Sequence, residues 1–335
     1  MNLENDLTKI IFIIPYYGKF PSYFKMWLVS VAYNPTVDFL LVTDIPIEQD
    51  LPDNVICLNW SWERLIKEIQ KPFDFKINIK SPYNLCDFKP AYGLIFQKYL
   101  TGYEFWGNCD IDQVFGDIRK FITEEILRSN DVIGSLGHFT LYHNSPKINE
   151  LFKLHGSLFD YKTVFSTDGW YAFDEITGIK RIVLENNITH YYNMNFVADV
   201  MTAHSQMKIG FNDYKYQVFY WEKGKVFRSY IEDGEVRQEE FMYIHFQKKN
   251  PISVNDRWKD YAAFYIFSDF FYEKKRGIPS VDEIMKNSYW NGRKNEILEL
   301  RKKRIAKIKK FVLMSRKQKI IWLKQKFYKY VYNIK

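Results

Sequence analysis

Asp110 and Asp112, two carboxylates one residue apart, are the residues in this sequence best suited to do chemistry. They lie in the aromatic stretch Tyr-Glu-Phe-Trp-Gly-Asn-Cys-Asp-Ile-Asp-Gln-Val-Phe-Gly-Asp, residues 103–117. A strand alternates its side chains, so the pair projects one way while Ile111 turns into the core. Where such a strand runs out into a loop, the two carboxylates offer hard oxygen ligands to Mn²⁺ or Mg²⁺. A cation held there can neutralise a diphosphate leaving group. The plainer alternative is a turn start, because an Asp side chain readily bonds nearby backbone N–H groups.

Two other places offer matching chemistry. Asp87 and Lys89 open an expected helix just before the aromatic strand, with Pro90 tolerable in its first turn. There Asp87 is either an N-cap or a contact to a base or ribose. Later, Phe-Met-Tyr-Ile-His-Phe delivers His245 and then Lys248 and Lys249, and one imidazole followed by two amines suits a metal beside a diphosphate. A single His in a strand is more often structural.

The elements that must position these groups read as α/β. Residues 9–15, Lys-Ile-Ile-Phe-Ile-Ile-Pro, form a continuous apolar run, as expected of a parallel strand buried on both faces. The loop Pro15, Tyr16, Tyr17, Gly18, Lys19 follows at its carboxyl end, where open sheets bind ligands. A helix over 22–33 and a strand over 38–43 ending at Asp44 complete a right-handed parallel unit. Further strands are expected over 54–58 and 131–136, with helices over 60–70, 117–127 and 147–154. From 207 to 247 short alternating strands take over, and Glu-Asp-Gly-Glu at 232–235 predicts a tight hairpin. Residues 255–272 read as an aromatic-rich helix and 280–287 as a short one.

The chain has 335 residues, 19% of them aromatic, and a net charge of +8. Residues 290–335 hold 16 of the 48 basic residues but only two of the 40 acidic ones, so this tail carries +14 and the rest −6. Apolar residues three to five apart, Leu300 to Val312 and again Ile320 to Val331, alternate there with Lys and Arg. Such a stripe with a cationic face reads as helices lying on an anionic membrane surface, against the alternatives of a partner helix or a nucleic-acid patch. An acidic body without a basic groove argues against nucleic acid. Three widely spaced cysteines form neither a disulfide framework nor a metal set, and no secretory leader or membrane-spanning run is expected, so a reducing cytoplasm is the simplest address.

Pro15-Tyr16-Tyr17, the helix opened by Asp87-Phe88-Lys89-Pro90, and Trp106-Gly107-Asn108-Cys109-Asp110-Ile111-Asp112 with Phe115-Gly116-Asp117 together resemble bacterial glycosyltransferases of the GT-A fold. More specifically, the chain resembles an uncharacterised group of them from capsule and O-antigen gene clusters, over about residues 9–250. The resemblance implies a GT-A-like, Rossmann-like, mostly parallel central sheet with flanking helices and a smaller hairpin region. Its catalytic domain would span 1–250, with a nucleotide-sugar half to about 135 and an acceptor half to 250. A helical extension (251–289) and the basic helical tail would follow.

On that likeness, Asp110 and Asp112 bind a Mn²⁺ or Mg²⁺ that bridges the diphosphate of a nucleotide sugar, most simply a UDP-sugar. Pro15, Tyr16, Tyr17, Lys19 and Asp44 frame the nucleotide, and Asp87, Lys89, Lys248 and Lys249 approach it. His245 is similar to the late metal-binding His of glycogenin-like transferases, although the Gly and Pro-Trp of their motif are missing. The acceptor is a glycan, carried on a polyprenol diphosphate at the inner face of the membrane. An inverting transfer needs a base, for which Asp174 and Glu175 are candidates, with Asp168 and His138 behind them. A phosphatase of the haloacid dehalogenase type shares Asp-x-Asp-x-Val but uses its first strand, and a non-catalytic carbohydrate- or membrane-binding scaffold is the other alternative.

Overall fold

A computed structural model describes residues 7–201, 207–247, 262–267, 271–288, 302, 304–306 and 308–331. The first apolar run forms β1 (Ile10–Pro15), flanked by β2 (Val37–Thr43) and, further on in sequence, β4 (Phe105–Cys109), both parallel to it. β3 (Val55–Asn59) extends the sheet on the β2 side. Period-two alternation sends Ile11 and Ile13 into one layer, with Leu40, Trp60 and Leu65, and Phe12 and Ile14 into the other, with Trp27, Phe39 and Leu41. Each such side chain, fully buried, stabilises by about 1.5–3 kcal/mol, so both faces of this sheet carry the fold.

Helices cover those faces for local reasons. Ser61 caps the helix Trp62–Gln70 by accepting the backbone N–H of Arg64, and the i, i+4 pair Leu65 and Ile69 faces inward. Phe24, Trp27, Leu28 and Val31 form the buried stripe of Phe24–Ala32 on the opposite face.

Across β4 the sheet continues with β7 (Phe139–His143), antiparallel, then β6 (Val132–Leu136) and the two-residue β8 (His190–Tyr191). The strand order is therefore 3-2-1-4-7-6-8, and β7 is the only strand among them that runs against the rest. A three-stranded sheet places β13 (Tyr243–His245) between β5 (Gln113–Phe115) and β9 (Val197–Asp199). An antiparallel sheet of order 12-11-10-14-15 joins β10 (Gln217–Glu222), β11 (Lys225–Glu232), β12 (Glu235–Phe241), β14 (Ala263–Ile266) and β15 (Phe271–Glu273). Its β11–β12 turn has Asp233 and Gly234 at φ 51° and 80°, the two positive values a tight hairpin turn demands.

Several expectations require correction. The helix expected to open at Asp87 begins instead at Pro82 and runs on as short α and 3₁₀ turns to Tyr99, because Pro90 interrupts the hydrogen-bond ladder. The single helix over 117–127 is two, Ile118–Phe121 and Glu124–Ser129, each with its own cap, Asp117 and Thr123. Where it is described, the helical extension expected over 251–289 is part strand and part helix, and the aromatic-rich helix expected over 255–272 is replaced by strand at 263–266 and 271–272. Phe264 and Ile266 pack to one side of the sheet and Tyr265 and Phe267 to the other, an alternation hidden by a run with no polar face. Only Val281–Ser288 is helical there, as expected. The boundary near 135 falls inside the β6–β7 hairpin, so the two expected halves share one sheet.

In the tail, Arg316–Val331 is a helix with one side docked on the body. Ile321 is buried in the layer that holds Trp106 and Tyr171, and Gln325 Nε2 donates to the Tyr171 carbonyl at 2.6 Å. Among the described residues, no helix is long and apolar enough to cross a membrane.

Candidate metal and nucleotide site

The chain leaves β1 towards β2 and β3, and returns on its other side as β4. The loops after β1 and β4 therefore part, and open α/β sheets bind ligands in the crevice this leaves at the carboxyl ends of the strands. A cavity of about 290 Å³ occupies it. Pro15, Tyr16 and Tyr17 form one wall, Asp110 and Asp112 the other, and Lys89 is also in its lining. The strand itself stops at Cys109, so the two carboxylates stand in the β4–β5 connection rather than on the strand as expected. Ile111 between them is buried, as the alternation predicts, and the Asp110 N–H is held by Gln113 Oε1 at 3.1 Å.

The three-stranded sheet brings the distant residues in. Register sets His245 beside Gln113 on one neighbour and beside Asp199 on the other, and the Phe246 N–H donates to the Asp112 carbonyl at 2.9 Å. As a result Asp110, Asp112 and His245 offer ligand atoms all within 4.8 Å of one another. His245 Nδ1 bonds Asp199 Oδ1 at 2.8 Å, which turns Nε2 towards Asp112 Oδ1 at 3.5 Å. Gln247 donates to the same Asp199 oxygen at 2.8 Å. A carboxylate on the far nitrogen is how metal-binding imidazoles are commonly oriented. Burial disfavours the charged ring, but its bonds to Asp112 and Asp199 outweigh that and raise its pKa to about 9. A divalent cation would take the place of the Nε2 proton.

His138 stacks on His245, ring centroids 3.8 Å apart. Burial and then the neighbouring His245 charge hold its pKa well below the usual value, so it is neutral. Its Nδ1 lies 3.1 Å from the Tyr243 hydroxyl and 3.3 Å from Gln113 Nε2, both of which can donate to it. His138, Asp199 and His245 form a second group with metal-ligand spacing, built on the same imidazole.

Lys89 ties the crevice floor together. Its buried ammonium donates to Asp110 Oδ1 and to the Gly137 carbonyl, both at 2.7 Å, and stands 3.6 Å from Asp174 Oδ2. Burial alone would strip its proton, yet the Asp110 carboxylate beside it keeps its pKa well above the usual lysine value. Asp174 is itself buried, and burial drives its carboxyl well above the carboxylate range despite Lys89. Asp87 is not at the crevice mouth as a helix cap. Its two oxygens accept the backbone N–H groups of Tyr171 and Phe173 at 3.0 and 2.8 Å, and burial lifts its pKa to about 6 against those bonds.

The remaining expected residues scatter. Lys19 and Asp44 are exposed at the ends of their loops, and the Tyr17 hydroxyl is spent on the Trp60 carbonyl at 3.0 Å. Asp168 sits at the surface in an ion pair with Lys80 at 3.1 Å. Glu175 lines a different cavity, beneath the tail. Lys248 and Lys249 lie outside the described residues. Sequence reasoning missed Asp199, Gln113 and Asn108, whose Nδ2 donates to the Gly137 carbonyl at 2.9 Å. No motif marks Asp199; a short apolar run ending in an acid, Val-Ala-Asp, was the only signal.

Residues 12–275 match a family of unknown function, DUF6625, and the chain belongs to that family. The match covers all three sheets and stops before the tail. No curated protein sequence matches the chain.

Proposed function

We propose that the protein is a metal-dependent glycosyltransferase with a GT-A-like fold. It moves a sugar from a nucleotide-sugar donor, a UDP-sugar in the first instance, to a lipid-linked or polysaccharide acceptor in surface polysaccharide synthesis. The observation that carries this reading is the convergence of Asp110, Asp112 and His245 in a crevice at the carboxyl ends of a mostly parallel sheet, with Asp199 orienting the imidazole. Two carboxylates and one imidazole suit Mn²⁺ or Mg²⁺. The cation supplies neutralisation of the diphosphate that leaves with the nucleotide.

The chain's own residues have separable tasks. Lys89 offsets the charge of Asp110 and fixes its direction. Tyr16, stacked on Phe20 with centroids 5.3 Å apart, gives the crevice an aromatic wall beside the carboxylates. In the transfer, the acceptor oxygen bonds to the anomeric carbon while the bond to the phosphate oxygen breaks and its electron pair leaves on the nucleotide diphosphate. The acceptor proton must go to a base in an inverting reaction. Glu175 suits this better than Asp174, which is buried against Lys89, or Asp168, which is engaged at the surface. Asp110 makes a poor phosphatase nucleophile, since it follows the fourth strand and is held by an ammonium. We place the enzyme at the cytoplasmic face of the membrane, through its basic tail.

A thermal-shift series with UDP-, GDP-, CMP- and dTDP-sugars, with and without Mn²⁺, tests the reading. A metal-dependent rise with one nucleotide is expected; no shift with any of them would overturn it.

A further inference from the structure

A second cavity, about 910 Å³, lies between the body and the tail. Tyr83 and Trp170 stand on the body side, and Phe311, Met314 and Trp322 on the tail side. Its volume is near the top of the range for small-molecule sites and about three times that of the crevice. Walls of this kind gain little from a bare sugar and much from a hydrocarbon chain.

Charge narrows the ligand further. Lys309, Lys310 and Lys326 are in the lining, and Glu175 is the one acid among the lining residues. An apolar chamber with lysines at its edge fits a chain that ends in phosphate. Position adds a third constraint, because Tyr83 lines both this cavity and the metal crevice, and Glu175 follows Asp174, which Lys89 connects to Asp110. Away from the cavity lining the tail exposes Val312 at 63% and Phe327 at 70% among its basic residues, as a segment resting on a lipid surface does.

We propose that this cavity takes the hydrocarbon chain of a phosphate-headed lipid, the membrane-anchored end of the acceptor. Lys309 and Lys310 hold the phosphate, and the Tyr83–Glu175 side is where the glycan carried by the lipid meets the donor. What the lipid carries rests on the glycosyltransferase reading; the chain and phosphate chemistry rest on the cavity alone. The tail wall lies beyond the region shared with the family, so this site belongs to the chain rather than to the family match.

The test is titration of the full-length protein with farnesyl phosphate, followed by tryptophan fluorescence, since Trp170 and Trp322 line the cavity, and by calorimetry, with neither metal nor nucleotide present. Saturable binding is expected, at least tenfold tighter than that of farnesol or of inorganic phosphate. Ala306→Phe, which narrows the cavity at an exposed helical position, should weaken both lipids tenfold or more. Lys309→Ala with Lys310→Ala should weaken farnesyl phosphate alone, with circular dichroism confirming the fold of each variant. No saturation, or binding indifferent to both sets of substitutions, would overturn the site. So would a response to phosphatidylglycerol vesicles that farnesyl phosphate does not produce. Lipid binding lost while the Mn²⁺-dependent nucleotide shift persists refutes this site only; the reverse refutes only the glycosyltransferase reading.

Discussion

The metal crevice and the tail cavity share Tyr83 but are built from opposite materials. In the crevice every important side chain is held by backbone register or a short polar bond: His245 by β13 and Asp199, Asp110 by Lys89 and Gln113. In the cavity one wall is a helix attached through apolar packing at Ile321, a buried bond from Gln325 and the Arg181 guanidinium resting on the Tyr328 ring. Chemistry on a diphosphate needs charges at fixed spacing, and hydrogen-bonded strand ends provide it. A flexible chain needs only volume and apolar contact, which a packed helix provides and can adjust.

That contrast can be broken by substitution, beginning with the largest effect. Asp112→Asn should lower kcat/KM for Mn²⁺-dependent transfer by about a thousandfold or more, since a metal's charge stabilisation is worth several kcal/mol, while leaving farnesyl phosphate binding unchanged. Transfer that survives unaltered would remove Asp112 from the metal site, whereas wild-type protein without any transfer would favour the scaffold. Asp87→Ala leaves the Tyr171 and Phe173 N–H groups buried without partners, at about 1–3 kcal/mol each, so denaturant melts should show a loss of roughly 3 kcal/mol. It should also remove a pH dependence. The folded-state pKa of about 6 is raised above the ordinary carboxylate value, so the stability linked to its proton is present below about pH 4 and lost as pH rises through 6. A parallel pH profile in wild type and variant would show that Asp87 has no such role.

On the tail side, Lys302, Arg304 and Lys317 changed together to Ala should weaken co-sedimentation with anionic liposomes about a hundredfold at low salt, at roughly 1 kcal/mol per basic residue. The nucleotide shift should be untouched; unchanged sedimentation would detach the tail from the membrane. The smallest effect is expected from Asp199→Ala, with Mn²⁺ affinity down about 10–100-fold and kcat recovered at saturating metal. A fall in kcat that excess Mn²⁺ does not restore would mean that Asp199 acts on the reacting groups themselves.

Some of this was legible from local pattern. The short run from Ile10 to Pro15 favoured a strand buried on both faces through its four isoleucines and the proline that ends it, and Asp233-Gly234 favoured a tight hairpin. Asp110 and Asp112 stood out through spacing, and His245 through its place at a strand end. Where the pattern was uniform it misled. Residues 263–266 are apolar throughout, so helix and strand periods could not be told apart. Asp87 looked like a cap because Pro90 follows it, and only the chain 84 positions later reveals what it binds.

From the sequence by itself came the α/β class, the carboxylate pair and the division between a mildly acidic body and a basic tail, because alternation, turn chemistry and charge are properties of neighbours in the chain. Only the tertiary structure decided that β13 lies between β5 and β9, and therefore that Asp199 grips His245 and turns it towards Asp112. Only it decided that the tail folds back to wall a cavity beside the crevice. Pairing of distant strands and docking of a helix depend on which surfaces meet once the whole core has closed, and no short stretch of residues carries that information.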